Sequence, residues 1–146
     1  MQYQIDKTDN RLLIIRFDNK IRMNNTLSTI SFRYEGLLVN CEGHNFPAEF
    51  VEKSDEIYDF VKRNKIKYII GIYNSKSILH EKLHAKYYLD SDYRNKINKE
   101  WDQLETTKRE HITKFLKRLG YCDKVIIDEY QAYRYSEKPN FYGIKL

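Results

Sequence analysis

The sequence predicts an α+β fold in which an N-terminal sheet, antiparallel or mixed, precedes a set of helices. Three observations carry this expectation. Short aliphatic runs bounded by polar clusters fill the first half of the chain. Apolar residues at spacings of three and four dominate the second half. With 146 residues, 41% of them hydrophobic and 14% aromatic, the chain can bury a core without disulfides or a structural metal. The two prolines and five glycines form no linker, and no repeat appears. One domain over residues 1–146 is therefore expected: 1–45 mostly strands, 47–73 a helix and a strand, 77–135 helical, and 136–146 a tail.

Arg11–Phe17 reads as a strand because Leu12 to Ile15 are aliphatic and flanked by polar residues. Leu27–Arg33 alternates loosely, with Ile30 and Phe32 opposed to Thr29 and Ser31, and also reads as a strand. Tyr34-Glu35-Gly36 suggests a turn into a third strand ending at Cys41, which completes a small antiparallel meander. His44 falls in an expected loop. Beyond Pro47, Ser54 is placed to cap a helix whose Ile57, Phe60 and Val61 share a face. Lys67–Tyr73 is a buried strand by its apolar run. Ser77 is placed to cap a helix over Ile78–Leu89, a stretch free of Gly and Pro.

A long helical stretch follows Asp90-Ser91-Asp92. Tyr93, Ile97, Trp101 and Leu104 form one stripe, and its phase continues through Ile112, Phe115 and Leu119. Thr106-Thr107 divides the stretch, and Gly120 ends it. Asp123 is placed to cap a last helix over residues 124–135.

The chemistry concentrates in His80-Glu81-Lys82-Leu83-His84, an HExxH inside a predicted helix. Histidines four apart lie one turn above each other, so both imidazoles can reach one ion. Glu81 is rotated about 100° from His80, so it can reach a water on the ion rather than the ion itself. A zinc ion lowers the pKa of its water towards ~7, and a carboxylate then takes the proton. With four histidines in the chain, chance builds this pattern in about one shuffled sequence in a hundred.

The motif and the strand–helix order before it resemble the zincin metallopeptidases. The resemblance implies a small sheet over the motif helix, an edge strand lining a substrate cleft, and a Zn²⁺ cofactor. Zinc needs a third protein ligand. Glu129 shares an apolar helical face with Val125 and Ala132, where a carboxylate suffers desolvation unless paired with a proton or a cation, and a metal would supply that cation. Glu129-x-x-Ala132 also looks like the ligand helix of the glutamate-type zincins, although Tyr133 stands where those families often have an acid. Glu105 and His111 are the alternatives. Asp128 or Asp90 is available to orient a histidine. Tyr133 and Arg134, with Tyr87 and Tyr88 behind them, are candidates to stabilise an oxyanion.

The expected function is thus a small intracellular peptidase acting on protein or peptide through Glu81 as general base. Two alternatives remain: a zincin-like module that binds metal without cleaving, and a basic nucleic-acid-binding domain. The net charge of +5 permits the latter. Scattered basic pairs, together with abundant Lys, Asn, Ile and Tyr, all with A/T-rich codons, account for that charge without a binding role. No run reaches the ~20 apolar residues of a membrane span. The start lacks a signal-peptide pattern, and Cys41 and Cys122 show no metal spacing. A cytoplasmic protein with reduced thiols is expected.

Overall fold

A computed structural model describes residues 1–36 and 41–146. It is a mixed α and β structure. The described residues form four strands, β1 (Gln2–Ile5), β2 (Leu12–Arg16), β3 (Gly43–Pro47) and β4 (Tyr68–Ile72), and six helices. The helices are α1 (Lys20–Glu35), α2 (Tyr58–Arg63), α3 (Ile78–Leu89), α4 (Ser91–Gln103), α5 (Thr106–Arg118) and α6 (Ile126–Ser136). The sheet order is β1-β2-β4-β3, with β2 and β4 parallel and both outer pairings antiparallel. The sheet is therefore mixed rather than a meander. No helix among the described residues is long and apolar enough to cross a membrane.

β2 and β4 are the central strands because their side chains are apolar on both faces. Leu13, Ile15 and Ile69 join Phe46 of β3 in a core against α1 and α2. Leu12, Ile14, Tyr68, Ile70 and Ile72 meet Ala85, Ile78 and Leu89 of α3 on the other face. Gly71 turns towards α1. A Cβ there would lie 2.1 Å from Leu27 Cδ1, so the missing side chain is what lets α1 lie flat on β4.

The expected strand over Leu27–Arg33 is instead the second half of α1. Asn19 caps this helix by accepting from the Arg22 N–H, and Gly36 ends it in the left-handed conformation. Met23, Leu27 and Ile30 are its fully buried stripe, while Phe32 is exposed. The spacing is thus helical, and the alternation of Ile30 and Phe32 has no structural counterpart. Tyr34-Glu35-Gly36 is the close of this helix, and most of the third expected strand lies outside the described residues. Burying three such side chains contributes about 2 kcal/mol each, more than the weak helix propensity of Thr26, Thr29 and Ile30 costs.

β3 has no strand signature in the sequence. It forms because β4 presents an edge for Asn45 and Phe46 to pair with. His44 is therefore in a strand and not a loop. It is buried against α1, its Nδ1 2.6 Å from Ser31 Oγ and its Nε2 2.6 Å from Asn24 Oδ1.

Three expected caps also differ. Ser54 lies in a turn, and α2 starts behind Ile57 with no side-chain cap. Ser77 precedes α3 without capping it, because Asn74 already accepts the Lys76 N–H of the preceding 3-10 turn. Asp123 starts a 3-10 turn and pairs with Lys117 instead. α3 itself has the expected bounds. The long stretch breaks at Leu104-Glu105, and its apolar stripe ends before the exposed Leu119. Ile112, Leu116, Ile126, Tyr130 and Tyr142 form a third core beyond α3, so the tail packs onto α5 and α6.

Candidate metal centre

α3 presents two functional stripes. Ile78, Glu81 and Ala85 face the sheet, and His80 and His84, on the adjacent stripe, face α6. α6 answers with two stripes of its own. Tyr133 and Ser136, on the stripe of Glu129, approach His80; Glu129 itself and Asp128 approach His84, and Gln131 bonds the Leu83 carbonyl. One ligand atom from each of His80, His84 and Glu129 lies within 4.8 Å of the others.

The finer geometry suits a cation. His84 Nε2 is 3.1 Å from His80 Nε2 and 3.0 Å from Glu129 Oε1. Donors on a tetrahedral zinc with bonds of about 2.05 Å sit about 3.3 Å apart. Both Nδ1 atoms are engaged elsewhere: His84 donates to Asp128 Oδ1 at 2.8 Å, and His80 Nδ1 is 3.2 Å from Ser136 Oγ. These outer partners leave both Nε2 atoms turned towards the same point. Two nitrogens and a carboxylate oxygen converge there, and a single proton on His84 can satisfy only one of its two neighbours. Glu129 is 4% exposed, and its Oε2 has no hydrogen-bond partner among the described residues. Such an orphaned buried carboxylate oxygen costs about 1–3 kcal/mol or more unless something fills the space beside it. The three residues therefore fit a divalent ion, which would be held by His80, His84 and Glu129.

The titration behaviour reflects the same crowding. Burial pushes His80 down to about 3, with His84 adding to the effect. Burial also opposes charge on His84, but Asp128 and Glu129 beside it outweigh this and hold it well above the usual range. Burial raises Glu129, which the neighbouring His84 only partly offsets.

Glu81 is 5% exposed and stands between α3 and β3. Its Oε2 accepts from Asn45 Nδ2 at 2.8 Å, and Asn45 Oδ1 accepts from the Tyr68 hydroxyl at 2.6 Å. This chain orients the carboxylate and leaves Oε1 to the cavity side. Oε1 would lie 2.9 Å from a Cβ at Gly43, so the glycine makes the room that Glu81 occupies. Burial pushes Glu81 up to about 7, with Glu129 nearby adding to the shift.

A cavity of about 540 Å³ is lined among others by His80, Glu81, Glu129, Tyr121, Tyr133 and Asn45, with His84 buried behind them. The Tyr133 ring lies 4.5 Å from that of His80 at a tilt of 60°, and its hydroxyl is 2.8 Å from that of Tyr121. The other expected residues lie elsewhere. Arg134 donates to Glu100 at 2.6 Å and also bonds the Tyr130 hydroxyl, so it does not line the cavity. Glu105 is exposed at the start of α5, 4.0 Å from Lys108. His111 Nε2 donates to the Tyr142 carbonyl at 2.7 Å. Tyr87 bonds Asn98, and Asp90 caps α4 by accepting from the Tyr93 N–H.

Sequence reasoning missed Asn45, Ser136, Gln131 and Tyr121. None belongs to a motif. Gln131 is the only one with a local signal, because it lies three residues after Asp128 and bonds it at 3.0 Å. Searches against family models, curated proteins and solved structures found no match to this chain.

Proposed function

We propose that this chain is a zinc-dependent peptidase of the cytoplasm, with His80, His84 and Glu129 as metal ligands and Glu81 as general base. The observation that carries the reading is the convergence of both Nε2 atoms on a buried carboxylate whose second oxygen has no partner among the described residues, at the wall of the cavity that Glu81 also lines. Zinc bound there would supply the Lewis acidity that makes a water nucleophilic near neutral pH.

The chain's own residues account for the rest. Glu81 Oε1 takes a proton from the water that adds to the peptide carbonyl carbon. It then passes that proton to the amide nitrogen as the C–N bond breaks, leaving a carboxylic acid and an amine, between which a further proton moves to give carboxylate and ammonium. Burial, which disfavours charge on this carboxyl, helps it to hold a proton between the two steps, and Asn45 keeps it in place through Oε2. Tyr121 and Tyr133 share one hydroxyl proton between them, which leaves the second free to donate to the oxyanion. β3 is an outer strand paired only with β4 among the described residues, so its other edge suits an extended peptide.

Purified protein should carry about one zinc per chain, and Glu81→Gln should keep the zinc while losing peptide cleavage. Zinc binding with no cleavage of any peptide would favour the non-cleaving module. No zinc together with salt-dependent binding to generic DNA would favour a nucleic-acid-binding domain.

A further inference from the structure

The cavity has the opposite sign from the chain as a whole. The chain's formal charge is +5, yet the cavity wall carries Glu35, Glu42, Glu81, Glu129 and Glu137 against one lysine, Lys76. Most of these acids have a counter-charge or a role. Glu42 is met by Lys20 and the Tyr73 hydroxyl. Glu81 and Glu129 belong to the metal set described above. Glu137 and Lys76 are exposed at the rim, where water and salt screen them.

Glu35 differs from all of these. It lies in the last turn of α1, the helix on the sheet face opposite α3, so it enters the cavity around the β3 edge from the far wall. It is only partly exposed, and it has no hydrogen bond or ion pair among the described residues. Its electrostatic neighbours are Glu129, His84, Glu81 and Asp128, all of the metal centre. Burial and these acids push its carboxyl up to about 7, as expected for an acid lacking a cation.

Building on the peptidase reading, we propose that Glu35 determines substrate specificity, holding a positively charged group of the peptide, an ammonium or guanidinium, in the cavity where the peptide is cut. The cation would come from a Lys or Arg side chain or from a free amino terminus. Both give Glu35 the same charge-assisted hydrogen bond. A neutral peptide gives the half-buried carboxylate no such bond, and that difference is what discriminates against it.

The test measures binding, so it does not depend on turnover. Zinc-loaded Glu81→Gln protein is titrated by fluorescence anisotropy with matched peptides: capped with lysine, capped with norleucine, and uncapped with norleucine. At least tenfold tighter binding of the lysine or the uncapped peptide over the capped norleucine one is expected, and whichever peptide gains names the source of the cation. Adding Glu35→Gln should bring that ratio close to one, Glu35→Asp should retain part of it, and Glu35→Lys should reverse it towards a glutamate peptide. An unchanged ratio in the Glu35→Gln background, or no preference in its parent, overturns the proposal. If the preference depends on Glu35 but wild-type protein cuts none of these peptides, the cation site stands and the peptidase reading fails. If peptides are cut with no dependence on Glu35, the reverse holds.

Discussion

Replacing Glu129 with Gln should separate folding stability from metal binding. The side chain is 4% exposed, with Oε1 against His84 Nε2 at 3.0 Å and Oε2 without a partner among the described residues. Removing the charge relieves a desolvation penalty of about 1–3 kcal/mol and forfeits one ion pair, while Asp128 still holds the His84 ring. In chelator the variant should therefore match the wild type or exceed it by up to about 1 kcal/mol, about 3–4 °C for a chain of this size. Zinc at a hundred times its dissociation constant stabilises the wild type by about 2.7 kcal/mol, or about 10 °C. A neutral amide is a poor zinc ligand, so at the same zinc concentration the variant should shift by less than about 2 °C. Circular-dichroism melts in EDTA and at graded zinc measure both quantities. A variant that loses more than about 2 kcal/mol in EDTA yet keeps the full zinc shift would show that Glu129 serves only as the ion-pair partner of His84.

Three further outcomes are expected. Asp128→Asn should weaken zinc about 10–100-fold in a competitive chelator titration with little change of fold, because it reaches the ion through the His84 Nδ1–H, and the amide oxygen can still accept from Gln131. Gly43→Ala should leave the melt within about 1 kcal/mol but lower kcat about a hundredfold, since its Cβ displaces the flexible Glu81 carboxylate rather than backbone; unchanged kcat would remove Glu81 Oε1 from the mechanism. Burial pushes His44 down to about 4, whereas the unfolded ring titrates near 6.5. The unfolded chain thus takes the proton first, so stability is complete above pH ~6.5 and falls by about 3 kcal/mol as the pH drops to about 4. Urea midpoints across that range should be flatter in His44→Gln, and parallel curves would contradict the assignment.

The legible part of the molecule is the part where local pattern and tertiary role agree. Ile78–Leu89 is helical by composition and lies where its motif needs a helix. Glu129 is conspicuous in the sequence because an acid on an apolar helix face is costly unless a cation meets it. α1 is deceptive because Thr26, Thr29 and Ile30 favour strands, while its helical stripe of Met23, Leu27 and Ile30 is diluted by polar residues. β3 is a strand only by virtue of the edge that β4 offers it, which no local property of Gly-His-Asn-Phe-Pro encodes. Asn45 is hidden for the same reason: its partnership with Glu81 exists only once β3 and α3 have docked.

The two histidines belong to the helix that seals the sheet, whereas Glu129 belongs to the helix that anchors the C-terminal aromatic cluster. An ion gripping both would act as a cross-link, closing a loop of about 45 residues between His84 and Glu129. Loop closure on that scale removes about 4 kcal/mol of unfolded-chain entropy, much as a disulfide would. Stripping the ion should then loosen the last helices first. Amide exchange along residues 91–136, and proteolytic nicking between α4 and α5, would register that loosening before the sheet gives way.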